Sequence, residues 1–164
     1  MLLGPVLDPL RSSNILKNLN SLHIRMKQHS YNAQYLAEKL SELGIKVNYP
    51  GLKNHKGHQI MSEIMNFEYG FGGMLSIDVG DLETSNLLME MMEKEGVGYL
   101  AVSLGYFKTL FCNSGKSTSS EVPAEKQKEI GMSEGLIRFS VGLDNNIERT
   151  FLNIKKCLGQ LNLI

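Results

Sequence analysis

Arg138 stands mid-way along Leu136-Ile137-Arg138-Phe139-Ser140-Val141-Gly142, where alternation aims Leu136, Arg138 and Ser140 at one face of a strand. A guanidinium there needs partners, because a lone buried charge is very costly. Two readings are open: a structural salt bridge to an Asp or Glu, or a bidentate clamp for a ligand carboxylate. His55 and His58 are three apart in a Pro-, Gly- and Lys-rich loop with no third ligand at a metal-site spacing, so they read as hydrogen-bonding loop histidines. His23 and His29 are six apart on a helix, share no face, and read as surface or interface packing. The methionines cluster at 61, 65, 74, 89, 91, 92 and 132, a pattern suited to an adaptable groove but expected here to fill the core and subunit contacts. No serine sits in a nucleophile elbow, and Cys112 has no neighbouring base or cation beyond Lys108, so nucleophilic catalysis by this chain alone is not expected.

These residues need elements to position them. Gly4, Pro5 and Pro9 predict an irregular arm over residues 1–12, with Ser12 or Ser13 as the N-cap of a helix. Ile15, Leu19, Leu22, Met26, Ala33, Leu36, Leu40 and Leu43 then form one apolar stripe, predicting a single long helix that ends at Gly44. Strands are expected at 45–49, 74–79, 99–105, 109–112 and 136–142, of which four are main strands. Helices are expected at 59–67, 84–95 and 125–130, and after Asn145 or Asn146 with Ile147, Phe151, Ile154, Leu158 and Leu161 buried. The fold class is α/β of the α+β two-layer kind, with helices on one face of the sheet. Gly70-x-Gly72-Gly73 precedes a strand, whereas a dinucleotide fingerprint follows one and opens a helix.

The 164 residues suit one domain, and 42% hydrophobic against 21% charged residues make it globular. With 17 basic and 17 acidic residues there is no electrostatic footprint for nucleic acid or an anionic membrane. Two cysteines are too few for a disulfide framework, so a reducing, cytoplasmic compartment is expected. Met1–Val6 lacks the features of a signal peptide, and no stretch reaches the ~20 apolar residues of a membrane span.

Five pieces run in register over nearly the whole chain. They are Leu22-x-x-Arg25-Met26-x-x-His29; Tyr49-Pro50-Gly51-Leu52 with His55 and His58; Gly70-Phe71-Gly72-Gly73-Met74-Leu75-Ser76; Ala101-Val102-Ser103-Leu104-Gly105; and Gly135 to Leu143 around Arg138. Together they resemble the C-terminal domain of the Cys/Met-metabolism enzymes that depend on pyridoxal phosphate. That group includes methionine γ-lyase, cystathionine γ-lyase, cystathionine γ-synthase and O-acetylhomoserine sulfhydrylase. The resemblance implies that residues 13–164 form the small, substrate-side domain of a fold-type-I enzyme, and residues 1–12 its link to a large domain. It implies α,γ-elimination or γ-replacement on a sulfur amino acid or homoserine ester, in a homo-oligomer, a tetramer in the family.

Residue roles follow from the same resemblance. Arg138 corresponds to the arginine that holds the substrate α-carboxylate, and Ser103 and Leu104 lie beside it. Thr118 falls on the threonine of the family's Thr-His pair, although Ser119 follows it here and Asn113-Ser114 replaces the usual His-Pro. Val102 stands where cystathionine γ-lyases often carry Glu, which favours a methionine-like or acyl-homoserine side chain. The Schiff-base lysine, the ring-stacking aromatic and the phosphate turn have no counterpart motif, and neither Lys108 nor Lys116 sits in the lysine motif. The chain alone is therefore expected to be inactive and to hold no cofactor covalently.

Overall fold

The computed structural model describes residues 7–115, 121–129 and 132–164. Its first helix, α1 (Pro9–Leu19), begins where the sequence suggested an arm. Asp8 caps it by accepting from Arg11 N–H, and Pro9 suits the first turn because its missing N–H would have no helical partner. The expected single long helix is two. Asn20 and Ser21 break it before α2 (Leu22–Glu42), and Arg25 Nη2 donates to the freed Asn18 carbonyl at 2.7 Å. The apolar stripe changes character within α2 rather than at the break: Ala33, Leu36 and Leu40 are buried, whereas Ile15 and Leu19 of α1 and Leu22 at the start of α2 are exposed.

Then come β1 (Lys46–Asn48), α3 (His58–Ile64), a 3-10 turn at Phe67–Tyr69, β2 (Met74–Asp78) and α4 (Leu82–Lys94). The remainder is β3 (Tyr99–Leu100), β4 (Leu110–Asn113), α5 (Ala124–Glu129), β5 (Leu136–Ser140) and α6 (Ile147–Gln160). Asp81 and Asn146 cap α4 and α6 by accepting from Thr84 and Arg149 N–H. The sheet has five strands in the order β1-β2-β5-β4-β3, antiparallel except for the β3–β4 pair. The strand expected over 99–105 stops at Leu100, because the chain leaves the ladder after Ala101 N–H bonds the Phe111 carbonyl.

Alternation along β5 separates two faces. Ile137 and Phe139 pair with Ile77 and Leu75 of β2, and Phe139 also pairs with Phe111 of β4. These side chains form one buried cluster with Leu36 and Leu40 of α2, Leu88 and Met92 of α4, and Ile154 and Leu158 of α6. The helices thus cover one face, as the periodicity predicts. Among the described residues no helix is long and apolar enough to cross a membrane.

Tyr49 ties the β1 turn to the Gly70–Gly73 segment, donating its hydroxyl to the Gly72 carbonyl at 2.9 Å. Burial pushes its phenol up to about 12. At the end of β2, Asp78 accepts from Lys46 Nζ at 2.8 Å, from the Ser133 hydroxyl and from Gly80 N–H. Burial acts to raise its pKa, but these donors outweigh it and hold the carboxyl below its ordinary 3.8. A depressed folded-state value means stability present above pH 3.8 and lost as pH falls through the lower value. Thermal melts from neutral to acid pH should therefore show Asp78→Asn with a flatter acid limb than wild type; parallel curves below pH 3.8 would exclude this linkage.

Candidate functional site

On the face opposite the helices, strand register lines up Asn48, Ser76, Arg138 and Cys112 across four strands. Ser76 and Cys112 are buried on either side of the arginine. Arg138 Nε is fully covered and has no hydrogen-bond partner among the described residues. The outer end reaches the surface, where Nη2 donates to the Ser103 carbonyl at 3.4 Å. No ion pair joins it to an Asp or Glu among the described residues. The described residues thus supply no salt bridge there, and leave a planar cation with an unused donor on the face opposite α2, α4 and α6.

Two sets of bonds fix the strand that carries it. From α2, His29 Nδ1–H donates to the Val141 carbonyl at 2.6 Å, and Asn32 Nδ2 donates to Gly142 O and Asp144 O, each at 2.9 Å. Gln28 Nε2 holds the Asn32 carbonyl oxygen at 2.8 Å. From the other side, Thr109 Oγ1 accepts from Gly142 N–H at 2.9 Å, and Leu143 N–H donates to Phe107 O at 2.8 Å. His29 is therefore a buried anchor within this chain, where six-residue spacing alone suggested surface or interface packing. Sequence reasoning missed Asn32 and Thr109. The available signal was a polar residue next to Ala33 and four before Leu36, flanking the apolar stripe of α2, where the structure buries it wholly.

The loop after β3 brings Ser103 to Arg138 and leaves Val102 and Leu104 exposed nearby. Thr118 and Lys116 lie outside the described residues, and Lys108 is exposed. His55 accepts from Gly57 N–H through Nδ1 and bonds Asn48 Oδ1 through Nε2 at 2.8 Å. His58 bonds the Pro50 carbonyl and stacks on Phe71 with ring centroids 5.0 Å apart. Both are turn-fixing histidines, as the loop composition suggests. Met89 and Met92 enter the core, while Met74 stays partly exposed at the start of β2, paired with Ser140.

A mixed five-stranded sheet, packed against helices on one side and carrying a half-buried guanidinium on the other, matches part of the fold-type-I pyridoxal-phosphate-dependent enzymes. A protein named as an O-acetylhomoserine (thiol)-lyase from Campylobacter jejuni, carrying a pyridoxyl-lysine phosphate group, superposes with TM-score 0.85 at 28% identity. That match covers 96% of this chain and 37% of that one. Cystathionine γ-synthase from Xanthomonas oryzae pv. oryzae, in complex with aminoacrylate and cysteine, superposes with TM-score 0.79 at 27% identity over 90% of this chain and 37% of its own.

Residues 1–151 match the family described as Cys/Met metabolism PLP-dependent enzyme, and the chain belongs to it. Methionine γ-lyase of Arabidopsis thaliana is 40% identical over 95% of this chain and 36% of its own length. Cystathionine β-lyase of Lactococcus lactis subsp. cremoris is 38% identical over 95% of this chain and 40% of its own. The chain therefore spans about two-fifths of the curated relatives it matches.

Gly142 is where β5, α2 and the Phe107–Thr109 segment converge, and a Cβ there would lie 2.6 Å from Phe107 O, Lys108 C and Thr109 N. Backbone cannot yield as a flexible side chain can, so Gly142→Ala should cost ~1–3 kcal/mol in urea denaturation. Gly159→Ala, with open space around its Cβ, should be neutral or stabilising. Equal effects at the two positions would remove the close approach as the cause.

Proposed function

We propose that this chain is the substrate-side domain of an enzyme acting on sulfur amino acids or homoserine esters by α,γ-elimination or γ-replacement, most akin to methionine γ-lyase. The observation that carries this reading is Arg138, a guanidinium with a covered, unpartnered Nε and no carboxylate beside it among the described residues. An amino acid's α-carboxylate supplies what is missing, because a planar fork accepts two oxygens at once. Holding that group fixes the orientation of the Cα bonds, which is where the reaction of such a substrate begins. Ser103 and Leu104 flank the carboxylate, and the family resemblance assigns Thr118, which lies outside the described residues, to the same pocket. Val102 gives it an apolar wall suited to a thioether or acyl-homoserine side chain rather than a distal amine.

The donor set fits the amino acid and not the cofactor. A guanidinium beside a backbone carbonyl offers no amine for an aldehyde and no ring of N–H groups for a phosphate. Pyridoxal phosphate, which supplies the electron sink in this family's chemistry, is therefore assigned to the complete enzyme and its remaining three-fifths, with the Schiff-base lysine outside this chain. Residues 13–164 act as the domain that presents substrate, residues 1–12 as the link, and the complete enzyme as a homo-oligomer.

A second reading has support of its own. In α1 and the start of α2, Leu10, Ile15, Leu16, Leu19 and Ile24 are all about half exposed or more, and no residue of α1 is buried. Such a face also suits a stand-alone, non-catalytic domain that binds a partner. A lysine-bearing large domain encoded in the same frame supports the first reading, and a stop codon directly upstream supports the second. A sulfhydrylase-like transferase is a variant of the first reading, favoured by the likeness to the Campylobacter jejuni structure.

Mixing the isolated chain with pyridoxal phosphate and borohydride should give no stoichiometric adduct at one lysine, and a single reducible adduct would place the cofactor here. In the complete enzyme, methionine should yield 2-oxobutyrate; homocysteine from O-acetylhomoserine and sulfide, without that product, would select the transferase. There Arg138→Lys should lower kcat/KM roughly 100-fold or more, since a point charge cannot keep the two-pronged geometry. Kinetics like wild type would take the carboxylate away from Arg138.

A further inference from the structure

Between two fixed points the chain crosses the open face of the sheet. Ala101 N–H donates to Phe111 O at 3.1 Å, and Phe107 O accepts from Leu143 N–H at 2.8 Å. Every residue from Val102 to Tyr106 between these ties is exposed. Packing therefore does little to choose a conformation for this loop, although Ser103, at its centre, supplies the carbonyl at Arg138. At Gly105 the backbone turns through φ +69°, the left-handed region, and points its N–H at the sheet. Ser140 Oγ accepts that N–H at 3.0 Å.

Ser140 is two residues beyond Arg138 on β5 and so shares its face. Its cross-strand neighbours are Met74 and Leu110, neither of which offers the hydroxyl a polar side-chain atom. It is buried, whereas Gly105 is exposed. If the bond is lost, water can serve Gly105, so its contribution to global stability is small. What it decides is where the loop rests.

We infer that Ser140 is a positioning residue: by pinning Gly105 it sets the Ser103 carbonyl against Arg138 Nη2 and so orients the guanidinium for a carboxylate. This rests on the proposed carboxylate role of Arg138. The same peg sets Val102 and Leu104, so one hydroxyl couples carboxylate binding to the shape of the wall beside it. A hydroxyl suits the task because it accepts the N–H without bringing a second charge next to the guanidinium, which an Asp or Glu would do.

The test uses the 164-residue chain labelled with 15N, as wild type, Ser140→Ala, Ser140→Thr and Arg138→Lys. In ligand-free wild type and Ser140→Thr, the Gly105 amide should exchange slowly and the Arg138 Nε–H should be ordered on the nanosecond scale. Ser140→Ala should lose both signatures while its melting temperature stays near wild type. L-Methionine, titrated as the carboxylate probe and followed at Arg138 Nε, should bind Ser140→Ala about fivefold more weakly than wild type, the equivalent of one ordinary neutral hydrogen bond. Retention of both signatures in Ser140→Ala overturns the proposal, as does their loss with unchanged methionine affinity.

Should Ser140→Ala fail to fold, wild type and Ser140→Thr decide the matter. A Gly105 amide exchanging as fast as that of Val102 in either protein overturns the proposal, and protection in both sustains it. The two readings fail separately. Methionine binding to Arg138→Lys as to wild type, or no shift at Arg138 in wild type, removes the carboxylate role. Loss of binding in Arg138→Lys with none in Ser140→Ala removes only the positioning role.

Discussion

A charged side chain in the central strand of a sheet constrains everything around it. The sheet must keep one face free of helices, or the guanidinium of Arg138 would be sealed in at a desolvation cost that no carboxylate in the described residues offsets. Helices α2, α4 and α6 therefore share one face, and Ile137 and Phe139 feed it while Arg138 and Ser140 feed the other. Because side chains alternate strictly along a strand, a slip of one residue in β5 would put the arginine into the apolar cluster and Phe139 on the open face. The register with Ser76 and Cys112 is thus fixed by the same two hydrophobic residues that build the core.

Holding a strand in register does not by itself hold its end. After Ser140 the chain leaves the ladder, and its carbonyls at Val141, Gly142 and Asp144 face α2. Buried carbonyls require donors, and His29 and Asn32 supply them from within a helix whose other inward positions are mostly apolar. The Phe107–Thr109 segment supplies the opposing ties, close enough that only glycine fits at position 142. Rigidity at the site thus comes from polar side chains one layer behind it. Only the loop from Val102 to Tyr106 is left to side-chain bonds from the sheet face.

Periodicity exposed most of this architecture. The alternation around Arg138, the α6 stripe and the α4 pattern translate directly into burial, because each element packs against this chain's own core. It misled where the apolar residues have other business. Ile15, Leu19 and Leu22 continue the α2 stripe in sequence, yet they stay exposed, and the helix breaks at Asn20–Ser21 between them. Pro9 read as a barrier to a helix because its place relative to Asp8 was missed; as a first-turn residue it starts one. The site divides in the same way. Arg138 stands out as a charge among apolar neighbours, whereas the bonds of His29, Asn32 and Ser140 join residues 35 to 112 positions apart, which no local pattern encodes.

The exposed stripe and the unpartnered Nε call for one explanation rather than two. The chain spans about two-fifths of the curated relatives it matches and shares the fold of its solved relatives over nearly all its length, and on the proposed reading both features meet the rest of that fold. Apolar residues on α1 satisfy only a protein surface, since water gains nothing from them. On the same reading the half-covered guanidinium is the polar equivalent, matched to an anion. On the proposed reading half of the recognition is built into the sheet, on a strand whose end α2 anchors through His29 and Asn32. Through Ser140 the loop bearing Val102 and Leu104 is tied to the same strand as the arginine, so on that reading the clamp and the wall beside it are set together.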